Sequence, residues 1–210
     1  MKAILCYGDS NTWGYIPGSG ERYAPHIRWP GVLQQALGSG YKIIEEGLNG
    51  RTTVWDDPLS EYRNGKDYLV PCLETHAPLD LVILMLGSND IKMRFSVPQL
   101  NIADGVGILV GSIHSSDTGV QGEPPQVLLI APPPITPVPG SDIEEEFVGG
   151  VEKSLKFAEH YRRVADEYNC SFLDSSQVIS PSIIDGLNFE ADAHEALALA
   201  IAERVPEIIG

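Results

Sequence analysis

The two most apolar stretches of the chain, Leu81-Val82-Ile83-Leu84-Met85-Leu86 and Val127-Leu128-Leu129-Ile130, are continuous rather than alternating. A strand with one wet face alternates apolar and polar residues, so unbroken runs of this length mark strands covered on both faces by helices. Lys2–Tyr7, Lys42–Glu46 and Cys170–Asp174 read as three more strands beside Asp80–Leu86 and Gln126–Ala131. Between them lie segments with helical spacing. Trp29–Leu37 gathers Val32, Leu33, Ala36 and Leu37 on one side, and Tyr68–His76 is a shorter candidate. Pro98–Ile113 is apolar but carries Gly105, Gly107 and Gly111, which weakens a helix. Ser141–Tyr168 reads as one long helix, with Ser141 or Asp142 as N-cap, glutamates in its first turn and an apolar side through Leu155, Ala158, Tyr161 and Val164. Ala191–Ile209 is the last helix. Strands alternating with helices predict an α/β fold: a single-domain three-layer sandwich over residues 1–210, with a central parallel sheet of about five strands.

Composition narrows the partners. The chain has 210 residues and a formal net charge of −15, with only 14 lysines and arginines and no basic cluster. A nucleic-acid backbone needs a Lys/Arg footprint, so a polyanionic partner is not expected. Cys6, Cys72 and Cys170 are odd in number and widely spaced without a CxxC pair, which predicts free thiols in a reducing compartment, not a disulfide or metal site. The chain passes from Met1-Lys2 straight into a strand, and no apolar run is long enough to span a bilayer. A cytoplasmic protein with no membrane partner is expected. Long irregular segments at Gly14–Arg28, Gly47–Lys66 and Pro132–Gly140, the last with five prolines, follow strand ends, where sites and interfaces concentrate.

Four polar islands fall at the expected strand ends or beyond the last strand: Gly8-Asp9-Ser10-Asn11, Asn49-Gly50-Arg51, Gly87-Ser88-Asn89-Asp90 and Asp185-Gly186-Leu187-Asn188. Each alone is ordinary turn chemistry, since Asn, Asp and Ser bond their own backbone. Together they place a serine where open α/β sheets bind ligands. Asp9 and Asp90 read as braces of their loops, because a carboxylate beside a nucleophile discourages its ionisation. No GxGxxG follows the first strand and no GxxxxGK[ST] occurs, which argues against a nucleotide or flavin module.

In this order the islands resemble the SGNH, or GDSL-type, hydrolase superfamily over essentially the full length. The resemblance is closest to small bacterial arylesterases and acyltransferases, through Gly8–Gly14, Arg28-Trp29, Glu45–Leu48, Arg51-Thr52-Thr53, Asp56-Asp57-Pro58, Pro78–Ile83 and Pro132-Pro133-Pro134. It implies a flavodoxin-like fold in which Ser10 attacks an ester to form an acyl-enzyme. The Ser10 and Gly50 N–H groups and the Asn89 amide would form the oxyanion hole, with Asp185 orienting the base. Trp13, Asn11 and Trp55 would line the substrate pocket. Trp29 is a further aromatic candidate, and at least one tryptophan is expected in core or subunit packing. The same resemblance implies a small ester substrate, no cofactor, no metal, and a homo-oligomer built through the long loops.

One position departs from the pattern. The residue three after the aspartate, where the family carries its histidine base, is Asn188. An asparagine amide is similar in size and hydrogen-bonds, but it does not take and return a proton near pH 7. Three readings stay open: replacement of a parent histidine, a natural non-catalytic ligand binder, or His194 acting as base instead. His26, His76, His114 and His160 read as loop or surface residues. Carbohydrate O-deacetylation is an alternative within the same chemistry, whereas the aromatic loops favour small acyl groups on hydrophobic alcohols or phenols.

Overall fold

The computed structural model describes residues 1–136 and 138–210; Pro137 in the proline-rich segment and the side chain of the cap candidate Asp142 lie outside them. In chain order the elements are β1 (Lys2–Gly8), α1 (Ser10–Trp13), α2 (Trp29–Leu37), β2 (Tyr41–Gly47), α3 (Gly65–His76), β3 (Leu81–Met85), α4 (Gln99–His114), β4 (Gln126–Ala131), α5 (Asp142–Glu146), α6 (Gly150–Ser154), α7 (Phe157–Glu167), β5 (Ser171–Asp174) and α8 (Ala191–Ile209). All strand pairs are parallel, in the order β2-β1-β3-β4-β5.

The continuous apolar runs behave as their pattern requires. Every residue of β3 is buried, and successive residues feed opposite cores. Leu5, Tyr7, Val82, Leu84, Val127 and Leu129 point to one side, where α3, α4 and α7 pack. Ile4, Cys6, Leu81, Ile83, Leu128 and Ile130 point to the other, against α2 and α8. Burying a large aliphatic side chain contributes about 1.5–3 kcal/mol, so these two layers supply the main driving force for the sheet. No helix among the described residues is long and apolar enough to cross a membrane.

The segment 141–168 is not one helix. Ser141 does cap α5, accepting from the Glu144 N–H at 3.4 Å. The chain then breaks at Gly149, whose φ of 72° lies in the left-handed region, and again before Phe157. Leu155, expected on the apolar side, falls in that second break and is exposed. Tyr161 and Val164 stay buried in α7. Of the cysteines, Cys6 and Cys72 are buried while Cys170 is only half-buried, and all three are free.

Strand order reverses direction of progression between β1 and β3, so the loops leaving their carboxyl ends diverge and open a crevice. The end of β2 closes on it. Gly47 pairs with Gly8, and a Cβ on Gly47 would stand 2.1 Å from the Trp13 nitrogen of α1. That contact sets how closely β2 approaches the turn carrying Ser10. Gly47→Ala should lower stability by about 1–3 kcal/mol through backbone displacement, read as a lower urea midpoint at an unchanged m-value. A midpoint equal to the parent's would show that α1 is free to shift.

Candidate active site

Ser10 opens the one-turn helix α1 directly after β1. The turn is organised by Asp9, whose side chain accepts from the Asn11 N–H at 3.0 Å while its carbonyl accepts from Thr12 and Trp13. The Ser10 hydroxyl donates to Asn188 Oδ1 at 2.9 Å. Asn188 Nδ2 donates to Asp185 Oδ2 at 2.8 Å. The other Asp185 oxygen accepts from the Leu187 and Asn188 N–H groups at 2.9 and 2.8 Å. Both ends of the Asn188 amide are therefore committed, which fixes its orientation: oxygen toward the serine, nitrogen toward the carboxylate. Asn11 joins the same assembly, donating to the Leu187 carbonyl at 3.2 Å. It is buried and works as a strut between the two loops, where a pocket-lining role had been expected.

Two of the expected oxyanion donors, Asn89 and Gly50, lie on the loops that follow β3 and β2. Asn89 is buried and donates one amide hydrogen to the Arg51 carbonyl at 3.1 Å, which leaves the other available. Gly50 sits at φ 77°, so positive φ is the reason for glycine here; a Cβ would meet only the Arg63 side chain at 3.5 Å. Among the described residues, the Gly50 N–H has no intramolecular acceptor.

Arg51 was read only as part of a motif, yet it ties three strand ends together. Its buried guanidinium donates to the Gly8 carbonyl at 2.9 Å and to the Glu46 carbonyl, and lies 4.1 Å from the Tyr7 ring centre. Its own carbonyl holds Asn89. Beside it, Asp90 accepts from the Thr53 N–H at 2.9 Å and from the Thr53 hydroxyl at 2.5 Å. The loops after β1, β2 and β3 thus form one hydrogen-bonded unit. A sequence reading has little access to this role, because Arg51 acts on backbone carbonyls that every residue carries.

The other candidates have partners of their own, and Trp13 shares the single turn of α1 with Ser10. His194 is fully buried between α2 and α8; its Nδ1 accepts from the Trp29 N–H at 3.2 Å, and Tyr23 and Phe189 meet its ring edge-on. Burial, helped by Arg28, lowers its pKa to about 4, so it stays neutral, and the hydroxyl of Ser10 is engaged by Asn188 instead. The expectation of His194 as base gives way to packing. Trp29 is core. Trp13 is half-buried with the Arg22 guanidinium 4.9 Å from its ring, and Trp55 packs on the α3/α4/α7 core. A cleft of about 830 Å³ adjoins the site; Arg51, Arg63, Tyr62 and Tyr68 are among its walls, but Ser10 is not.

A buried serine engaged by an amide–carboxylate pair thus lies at the switch point of a parallel sheet. The chain belongs to the GDSL-like lipase/acylhydrolase family, whose model matches residues 6–196. The M. smegmatis aryl esterase is 43% identical, with a TM-score of 0.95 over 99% of this chain and 100% of that one. A carbohydrate acetylesterase from Sinorhizobium meliloti is also 43% identical, with a TM-score of 0.94 over 99% of each chain. No curated protein sequence matches. The protein is an esterase or acylhydrolase of this family on the expected three-layer fold.

Two buried carboxyls give the site a pH signature. Burial raises Asp9 from 3.8 to about 7, with Asp90 adding to the rise, and burial raises Asp90 to about 6. Protonated Asp9 keeps negative charge away from the neighbouring serine below neutrality. Between the ordinary value and the raised ones, the folded chain holds protons that the unfolded chain has released. The stability this gives is complete at low pH and is lost as pH rises through 6–7. Stability relative to Asp9→Asn should therefore fall between pH 4 and pH 7 in urea titrations. A difference independent of pH would place the Asp9 pKa at its ordinary value.

Proposed function

We propose that this protein is built to transfer short acyl groups from small aryl or alkyl esters to Ser10 and then to water, and that Asn188 leaves it without the general base that reaction uses. The observation that carries this reading is the chain Ser10 Oγ to Asn188 Oδ1 and Asn188 Nδ2 to Asp185 Oδ2, at 2.9 and 2.8 Å. An imidazole at position 188 would take the same two partners, accepting from the serine and donating to the aspartate, and it would also accept the proton. The amide accepts the hydrogen bond alone. On attack, with no base at position 188, solvent hydroxide takes the Ser10 proton as the Oγ–C bond forms, and the carbonyl oxygen of the ester becomes an oxyanion. The N–H groups of Ser10 and Gly50 and the free Asn89 hydrogen then meet charge that exists only at that stage, each such donor being worth on the order of 10²–10³ in turnover. Collapse of the tetrahedral species expels the alkoxide or phenolate and leaves acyl-Ser10. Water would release the acid, a step that needs a base as much as the first.

A good leaving group such as p-nitrophenolate needs no protonation, so activated esters should still react slowly. Asn188→His should raise hydrolysis of p-nitrophenyl acetate by on the order of 10²–10⁴-fold, the usual contribution of a positioned acid–base group. Ser10→Ala in that background should remove the gain. If Asn188→His leaves the rate unchanged while Ser10 remains in place, the alternative holds: a non-catalytic binder of small ligands on the same fold.

The Sinorhizobium meliloti relative supports carbohydrate O-deacetylation as a second substrate class. Comparing kcat/KM for phenyl acetate and an acetylated sugar in the Asn188→His protein separates the two. Leu59 and Tyr62 on the 56–66 loop are largely exposed, which supports assembly of the chain into a homo-oligomer through this loop.

A further inference from the structure

We propose that Glu46, Cys72 and His76 form a binding site for a single divalent transition-metal ion of the zinc class, separate from the serine site. The sequence reading expected no metal, because the cysteines have no CxxC spacing. The fold supplies the third donor from another element. Cys72 and His76 are one turn apart on α3 and share a face. Glu46 comes from the end of β2. One donor atom from each lies within 4.8 Å of the other two, and His76 Nε2 stands 2.8 Å from Glu46 Oε1. A tetrahedral ion with bonds of about 2.0–2.3 Å needs ligand atoms about 3.4–3.7 Å apart. The histidine–glutamate contact therefore has to open by less than about 1 Å, and donor pairs as far apart as 4.8 Å have to close by about 1 Å, for the three to surround an ion.

The donor chemistry selects the ion. A thiolate, an imidazole and a carboxylate suit zinc or cobalt, whereas magnesium and calcium take oxygen ligands. Thiolate and carboxylate together neutralise a divalent charge. His76 lies in the last turn of α3, where the helix end favours positive charge. The Glu46 and His76 side chains are 20% and 24% exposed, which gives the ion a route in and leaves the fourth position to water. Burial, and then Glu46, push the Cys72 thiol up to about 12, so a bound cation would have to displace its proton. Arg51, over the Tyr7 and Tyr68 rings, opposes a cation here, but its guanidinium is spent on the Gly8 and Glu46 carbonyls. The ion would clip β2 to α3 at the base of the loop carrying Gly50 and Arg51. Its consequence is stability of that loop.

The test is titration of the full chain with Co²⁺ alone, followed by competition with Zn²⁺. One equivalent should produce intense tetrahedral visible bands and a thiolate-to-cobalt charge-transfer band. Zn²⁺ should abolish both and raise Tm. Cys72→Ser and His76→Gln should each weaken binding at least tenfold, while Cys170→Ser leaves it unchanged. If Cys72→Ser fails to fold, His76→Gln decides at its half-exposed position. Absence of the charge-transfer band, a band that survives His76→Gln, or one that vanishes in Cys170→Ser overturns the proposal.

Discussion

The hydrogen-bonded relay from Ser10 through Asn188 to Asp185 is the contact on which the functional architecture hangs. It spans 178 residues of sequence and joins the first strand's exit turn to the loop preceding the last helix. Leu187 and Phe189 anchor the second loop in the two cores on either side of Asn188, and donors and acceptors supply the direction. Asp185 is held by two backbone N–H groups, Asn188 by Asp185, and Ser10 by Asn188. The relay joins a hydroxyl to a carboxylate through an amide that hydrogen-bonds to both.

Around it, the sheet converts packing into placement. Two apolar layers fix β1 between β2 and β3, and the carboxyl ends of all three open into the same crevice. A buried guanidinium then gathers those ends, since Arg51 satisfies carbonyls from β1 and β2 while its own carbonyl holds Asn89. A charge is costly to bury alone, and here it is offset by two backbone carbonyls and by the faces of the Tyr7 and Tyr68 rings. The Asn89 amide is held by the same network that stabilises the strand ends.

Much of this was legible beforehand, and the exceptions have physical causes. Short unbroken apolar runs bounded by turn residues fit doubly covered strands, and β3 and β4 followed from Leu81–Leu86 and Val127–Ile130. The segment 141–168 keeps helical spacing across its breaks, which masked the Gly149–Gly150 pair, although each glycine costs a helix about 1 kcal/mol and Gly149 makes a left-handed turn. The islands at Ser10, Gly50, Asn89 and Asp185 stood out by residue type and order. Arg51 and Asn11 did not, because they act on backbone groups invisible to a motif. His194 attracted a catalytic reading that burial between two helices removes. The Glu46, Cys72 and His76 group was hidden because its members are joined by the β2–α3 packing and not by spacing.

The proposed function gives Ser10 a hydrogen-bond acceptor in Asn188 and no base. The pH–rate profile of p-nitrophenyl acetate hydrolysis by the unaltered chain tests this directly. Without a titrating base, the Ser10-dependent rate should rise in proportion to hydroxide through pH 9, with no plateau near neutrality. A plateau setting in between pH 6 and pH 7.5, lost when His194 is replaced by alanine, would contradict it and return the imidazole to the mechanism.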